Sequence, residues 1–241
     1  MTNWQGIKFL VKREFSYRNA GYVGTTLFLV ACFLMFLVMI PIESYAKRPS
    51  IAYFPVNVIS VTYLSLMGFG FKNSYMKNYW KTDAFRKELS WLKLMPISSS
   101  QIVKSKFMKF IIHVFALNTI LFSLLYIFTD MISTYDITTM QYVQMVLTVM
   151  GYSMVTGTLY LWFEMSLSGK MYLVMSFAVG IVAVILVALL GMQQSVWDLV
   201  TTGIKTYSWI IPTAFIVLGI CIMLGVGKVM EKSLNKRDLY V

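Results

Sequence analysis

The chain alternates between long apolar runs and shorter polar connections. Each run is close to the ~20 residues that a helix needs to cross ~30 Å of hydrocarbon. The predicted spans are residues 22–42, 51–71, 107–128, 142–163, 171–192 and 208–227. The pattern therefore predicts an all-α membrane protein of about six transmembrane helices. The predicted organisation is a single transmembrane domain over residues 1–241, with the six spans between 22 and 227 and a charged tail over 228–241.

An amphipathic segment precedes the first span. Residues 1–21 contain a predicted interfacial helix over 2–18. Its apolar face consists of Trp4, Ile7, Val11 and Phe15. A second short interfacial helix is predicted over Ser195–Lys205, before the last span. The side chains expected to point toward lipid there are Val196, Trp197, Leu199 and Val200.

The second span contains residues that are unusual in a lipid-facing helix. Pro55, Asn57, Gly68 and Gly70 interrupt its apolar run. Such residues are tolerated in a span when neighbouring helices satisfy their polar groups. We therefore expect this span to face protein.

The connection between the second and third spans, Lys81–Phe107, is long and basic. The apolar stripe of a short helix in it, at i, i+4, i+7 spacing, consists of Phe85, Leu89 and Leu92. Pro96 stops this helix, and Ser98 with Gln101 predicts a capping box that starts the next one. A helix held this close to the membrane either docks in a groove of a cytosolic partner or lies solvated on anionic lipid. The residues alone leave both open.

Charge gives the orientation. Of the 21 lysines and arginines, eighteen lie in the N-terminal segment, residues 72–109, the loop near 164–170 and the tail from 228. The other three are Lys47, Arg48 and Lys205. The positive-inside rule then places both termini and the long connection in the cytoplasm. The net charge of +11 is explained by orientation and anionic membrane lipids, so nucleic acid is not an expected partner.

Enzymatic chemistry has no basis in the sequence. The chain has no HExxH, no GxSxG, no paired Cys/His set and no phosphate loop, so no catalytic residue, metal site or cofactor is predicted on it. Two ionisable residues inside apolar runs, His113 and Glu164, are candidate functional residues. Each also has a structural interpretation. His113 packs with a hydrogen bond, and Glu164 pairs with Lys170 or faces water at the interface.

A local pattern resembles a known family. The run Trp91-Leu-Lys-Leu-Met-Pro-Ile-Ser-Ser-Ser-Gln-Ile-Val-Lys-Ser-Lys106 is similar to a segment of type-2 ABC (ATP-binding cassette) exporter permeases, which has roughly Leu-Pro-Ile-Ser, then Ile-Val, then Lys. In that family it lies between the second and third of six spans. The family's amphipathic N-terminal helix corresponds to residues 2–18, and its short external helix to 195–205.

The resemblance implies a coupling helix and an ATPase partner. The coupling helix maps onto Asp83–Leu94 and contacts a separate ABC ATPase subunit, which binds ATP and Mg. The residues implied in ATPase coupling are Asp83, Phe85, Arg86, Glu88, Leu89, Trp91 and Leu92. Phe85, Leu89, Trp91 and Leu92 are the expected anchors. A second permease chain, identical or closely related, completes the transport path in the bacterial plasma membrane.

The very small external loops differ from those of the larger members of the family. Among the small bacterial members, the chain looks most like the permeases paired with peptide exporters, including exporters of phenol-soluble modulins and bacteriocins. The spans lack a cluster of charges and are rich in aromatic and methionine residues, so an amphipathic peptide or hydrophobic compound is the expected substrate. An alternative of similar size is the six-span substrate-binding component of an energy-coupling-factor vitamin importer. A non-transport membrane scaffold or enzyme is a third possibility.

Overall fold

The computed structural model of the protein describes residues 3–14, 21–45, 53–66, 84–128, 136–191 and 195–236. Over these ranges the ordered elements are helices, which confirms the all-α prediction for this part of the chain. In chain order they are α1 (Asn3–Glu14), α2 (Gly21–Tyr45), α3 (Tyr53–Leu66), α4 (Ala84–Lys93), α5 (Ser99–Phe128), α6 (Thr139–Ser166), α7 (Gly169–Gly191), α8 (Val196–Tyr207) and α9 (Ile210–Lys236).

Three helices are long and apolar enough to cross a membrane. They are α5, α6 and the stretch Ile210–Asn235 of α9, of 30, 28 and 26 residues. The apolar stretches found in α2 and α7, Gly24–Val38 and Gly169–Ile185, are shorter. The described part of the predicted second span is α3, with 14 residues. The structure therefore supports a helical chain with three membrane-spanning candidates.

Helix boundaries follow the local signals in the sequence. α4 ends at Lys93, shortly before Pro96. The predicted capping box at the start of α5 is formed: the Ser98 N–H donates to Gln101 Oε1 at 3.0 Å, and the Gln101 N–H donates to Ser98 Oγ at 3.3 Å. Both bonds satisfy N–H groups that a helix start leaves without intrahelical acceptors. Thr138 caps α6 in the same reciprocal way.

α6 is the helix against which α5 and α9 pack. A Cβ added at Gly151 of α6 would lie 2.7 Å from the backbone carbonyl carbon of Phe215 in α9. One added at Gly157 would overlap the ring of Phe110 in α5. Only glycine permits such close approach, so α6 and α9 meet nearly backbone to backbone.

Two apolar clusters divide the bundle into two ends. The α1-end cluster consists of Leu10, Leu89, Leu92, Ile102, Val103, Phe107, Phe110, Val114, Met154, Leu161, Met165, Met230 and Leu234. The α8-end cluster consists of Leu29, Cys32, Phe36, Leu64, Leu117, Leu121, Phe122, Leu125, Ile137, Tyr142, Met145, Val149, Trp197 and Ile204. We call the corresponding parts of the molecule the α1 end and the α8 end. The short helices α1 and α4 lie at the first, and α8 lies at the second.

Candidate functional site

The short helix α4 is seated on the longer helices at the α1 end. Its side chains Leu89 and Leu92 are only 3% and 4% exposed and belong to the α1-end cluster. That cluster also holds Ile102 and Val103 from the first turns of α5, and Met165 from the last turn of α6. Helix spacing places Leu89 and Leu92 on one side of α4, so this side is buried within the chain.

The buried side of α4 changes the expectation for the coupling residues. Leu89 and Leu92 were predicted as anchors for an ATPase, but their side chains are covered by this chain's own helices. Trp91 is 46% exposed and remains accessible to a partner. Asp83 lies outside the described residues, as do the side chains of Phe85 and Arg86. The coupling role of the segment stays a prediction, and of the expected anchors whose side chains are described, Trp91 is the exposed one.

A buried ionic junction ties α4 to both α5 and α6. The Lys106 ammonium of α5 lies 2.8 Å from Glu88 Oε1 of α4 and 3.7 Å from Glu164 Oε1 of α6. The Lys106 side chain is 5% exposed, that of Glu164 10% and that of Glu88 28%. A buried charge is costly unless it is paired, so the two carboxylates account for a lysine in this position.

The junction corrects the structural interpretation of Glu164. Sequence proximity suggested a pair with Lys170 or a solvated carboxylate. Lys170 is exposed in the first turn of α7, whereas Glu164 is buried and pairs with Lys106. Glu88 was among the predicted coupling residues, and the structure connects it to Glu164 through one lysine. Lys106 itself was missed as a functional residue, although it ends the segment that resembles the permease family.

Helix α1 packs on this same region. Ile7 and Leu10 are buried, whereas Trp4 of the predicted apolar face is 60% exposed. The predicted Phe15 lies outside the described residues. A Cβ added at Gly6 would lie 3.1 Å from the Gln101 side chain, so α1 passes close to the first turn of α5.

A cation–π contact connects α1 to α4. The guanidinium carbon of Arg13 lies 3.9 Å from the centre of the Trp91 ring. This distance is within the range in which a cation is attracted to an indole face. The contact leaves Trp91 partly exposed, so the outer side of α4 presents an aromatic ring beside a positive charge.

His113 has the environment of a packing residue. It is 8% exposed on α5, and its Nδ1 lies 2.9 Å from the carbonyl oxygen of Lys109, one turn earlier in the same helix. Within the described residues, no three His, Cys, Asp or Glu side chains come together as a possible metal site. His113 therefore has a structural explanation as a buried residue hydrogen-bonded within its own helix.

At the α8 end, one prediction is wrong. Trp197 was expected to face lipid, but it is 2% exposed and its Nε1 donates to Ser60 Oγ of α3 at 3.1 Å. The Val196 N–H at the start of α8 donates to Asn57 Oδ1 at 2.8 Å. Leu199, 52% exposed, does lie on the outer face as predicted. α8 is therefore fastened to α3 by two neutral hydrogen bonds.

The aromatic and acidic neighbours of this contact complete the α8 end. The Trp197 ring meets the rings of Phe36 and Phe122 edge to face, with centres 5.8 and 6.3 Å apart. Burial raises the pKa of the nearby Asp198 carboxyl, and a hydrogen bond from the Ser195 backbone partly offsets this rise. Asn57 is fully buried, as expected for a polar residue of a span that faces protein. Gly68, Gly70 and the side chain of Pro55 lie outside the described residues.

No family model, curated protein or solved structure matches this chain. The functional assignment therefore depends on the residues and their arrangement.

Proposed function

We propose that this chain is the transmembrane permease subunit of an ATP-driven exporter. In this proposal α4 is the coupling helix that docks on a separate ATPase subunit, and a second permease chain completes the substrate path. ATP-driven closure of the ATPase pair displaces α4, and the helices connected to α4 follow. The chain itself catalyses no reaction, since ATP and Mg bind to the partner. The proposed location is the bacterial plasma membrane.

The observation that carries the proposal is the double attachment of α4. Its inner side is fixed to α5 and α6 through buried leucines and through Lys106, while its outer side presents Trp91. A force applied to an exposed aromatic anchor is thereby delivered to two helices long enough to cross the membrane. A solvated helix lying passively on lipid would not need this ionic connection.

The distribution of basic residues supports a cytoplasmic position for the α1 end. The described basic side chains of that end are Lys8, Lys12, Arg13, Lys93, Lys104, Lys106, Lys109, Lys170, Lys228 and Lys232. Among the described side chains, Lys205 is the one basic residue at the α8 end. The positive-inside rule assigns the basic side to the cytoplasm, where an ATPase is available.

The six-span arrangement is part of the proposal. Beyond the three long helices, α2 and α7 have 25 and 23 residues, which exceeds the ~20 needed to cross a bilayer. α3 covers 14 residues of the predicted second span, 51–71. Protease or cysteine-accessibility mapping of residues 47 and 205 should place both on the side opposite the termini.

The experiment that tests the proposed partner is affinity purification of the full chain from its native membrane, followed by identification of co-purifying proteins. We expect a cytosolic protein with a P-loop. Trp91→Ala should weaken its docking by about 1–3 kcal/mol, the usual cost of truncating an interface anchor. This corresponds to a roughly 5- to 150-fold loss of affinity.

A matched control is Trp209→Ala, because Trp209 is 43% exposed but lies at the α8 end. It should leave docking unchanged. A chain that purifies alone with a small ligand bound would contradict the exporter proposal and favour the vitamin-importer component. Equal losses of ATPase from the Trp91 and Trp209 variants would contradict the position of the docking site.

The proposed substrate is an amphipathic peptide or a hydrophobic compound. Asp, Glu, Lys and Arg are absent from residues 110–128 of α5 and from the part of α6 before Glu164, so these two stretches offer no charged site for an ion or sugar acid. In reconstituted vesicles, amphipathic peptides should stimulate the ATPase activity of the complex. Stimulation by a small hydrophilic solute alone would overturn this substrate class.

A further inference from the structure

Lys106 has two carboxylate partners on different helices, at different distances. Glu88 Oε1 is within hydrogen-bond range at 2.8 Å, whereas Glu164 Oε1 at 3.7 Å forms an ion pair beyond that range. An ammonium group has three donors and can turn from one acceptor to another. Of these two carboxylates, Glu88 is therefore the engaged partner and Glu164 lies close by.

The two carboxylates differ in how firmly they are held. Glu164 is buried in the last turn of α6, a 28-residue helix packed against α5 and α9. Glu88 is more exposed and belongs to α4, a 10-residue helix with few contacts to α6 and α7. A displacement at this end of the molecule will therefore move Glu88 more readily than Glu164.

Burial decides what Lys106 does when Glu88 moves. Because its side chain is 5% exposed, water cannot readily replace the lost carboxylate. Glu164 needs to approach by about 1 Å, a side-chain adjustment, to reach hydrogen-bond distance. The lowest-cost response to a displaced α4 is for the ammonium to pair with Glu164.

We propose that Lys106 is a positioning residue that exchanges partners, from Glu88 when α4 is seated to Glu164 when α4 is displaced. The exchange replaces an ionic link between α4 and α5 by a tighter one between α5 and α6. It rests on the proposed function for the force that displaces α4. The availability of Glu164 as a substitute partner can be tested on the isolated chain.

The first test is a double-mutant cycle on the purified full-length chain in lipid nanodiscs, without ATPase. Glu88→Gln and Glu164→Gln should each lower the thermal midpoint by about 2–4 °C in a chain of this size. The thermal midpoint of the double variant should fall by more than the sum of the two single decreases. In each single variant Lys106 still has the other carboxylate as a partner. A double variant that does not fold, while both singles fold, is the same result in its extreme form.

The triple variant keeps this test specific. Adding Lys106→Met to the double variant removes the buried ammonium and should restore most of the lost stability. Lys104→Met, an exposed lysine on the same helix, should restore none. Strictly additive single effects, or equal restoration by both lysine substitutions, would overturn the exchange of partners.

The second test separates the two carboxylates. In hydrogen exchange, Glu88→Gln should speed exchange of the α4 amides roughly 2- to 100-fold, the range of coupling between contacting residues. Glu164→Gln should leave α4 protected, because Glu88 still holds Lys106, while Lys106→Arg should keep the wild-type pattern. Equal loosening of α4 by both Gln variants would mean a static three-residue cluster and would overturn the proposal.

These outcomes are distinguishable from a failure of the proposed function, because neither test includes an ATPase or a substrate. With the ATPase present, Glu164→Gln should retain docking and ATP hydrolysis but lower the amount of substrate moved per ATP. Normal transport per ATP in this variant would show that the exchange plays no part in coupling.

Discussion

The α8 end and the α1 end attach a short helix to the bundle by different chemistry. At the α8 end, α8 is held by neutral hydrogen bonds from Trp197 to Ser60 and from Val196 to Asn57, with aromatic rings around the indole. At the α1 end, α4 is held by two leucines and a lysine that lies between two carboxylates. An indole has one donor, while an ammonium has several. The hydrogen bonds that hold α8 are therefore formed in one position of this helix only. The Lys106 ammonium at α4 can form a new ion pair when the helix moves.

The largest expected effect comes from removing the Trp197 side chain, which attaches α8 to the bundle. Trp197→Ala should lower the free energy of unfolding by about 3–5 kcal/mol, the usual range for deleting a buried aromatic side chain. The loss combines the vacated volume between Phe36 and Phe122 with an unpaired Ser60 hydroxyl. Equilibrium unfolding in mixed detergent micelles measures it.

Two variants sharpen this prediction. Trp197→Phe retains a ring but loses the N–H, so it should cost less than Trp197→Ala. Trp209→Ala removes an exposed indole and should cost within about 0.5 kcal/mol of zero. Similar losses from Trp197→Ala and Trp209→Ala would mean that Trp197 does not hold α8 in place.

The next largest effect comes from the buried leucines that hold α4 at the α1 end. Leu89→Ala should lower the free energy of unfolding by about 2–5 kcal/mol, since the side chain is 3% exposed in the α1-end cluster. Hydrogen exchange should show most of this loss in the amides of α4.

The matched control is Leu94→Ala, just beyond the end of α4, where the side chain is 69% exposed. It should change stability by no more than about 0.5 kcal/mol. If Leu89→Ala instead left stability intact and only weakened ATPase docking, Leu89 would be a docking anchor as the sequence suggested, and its burial here would describe another state.

The smallest effect is a pH dependence at the α8 end. Burial raises the pKa of the Asp198 carboxyl above its ordinary value of 3.8. The folded state therefore binds this proton more tightly than the unfolded state does, and folding loses stability as the pH rises through the window just above that value. Asp198→Asn should raise the thermal midpoint at pH 7 and have less effect near pH 4.

A difference in thermal midpoint between wild type and Asp198→Asn that stays constant between pH 4 and 7 would contradict the raised pKa as its cause. The nearest comparison is Asp136→Asn, whose carboxylate is fully exposed and lies 3.7 Å from Lys205. It should not reproduce the gain at pH 7.

Features set by neighbours in the chain could be predicted from the sequence. The Ser98–Gln101 capping box and the end of α4 before Pro96 depend on residues within one or two turns, and both predictions are confirmed. The apolar runs likewise predicted the long helices, because a helix that crosses lipid must be apolar along its whole length. The number of spans and the orientation remain predictions.

Features set by partners distant in the chain could not be predicted. In a lipid-facing bundle, apolar residues cover both the inside and the outside of each helix, so the pattern does not separate buried from exposed positions. For this reason the sequence alone predicts that Trp197 faces lipid and that Leu89 lies on a docking surface. The partner of Glu164 lies on another helix, and one sequence contains no signal that joins it to Lys106 rather than to nearby Lys170.

The close contact at Gly151 has a consequence for how the protein is made. Chains emerge from the ribosome in order, so α6 enters the membrane before α9 is synthesised. Until α9 arrives, the face of α6 at Gly151 lacks the backbone of Phe215 against which it finally packs. During biogenesis this face is open to lipid, chaperones or the wrong helix. Among the described helices, the packing of α6 is therefore completed only when α9 arrives.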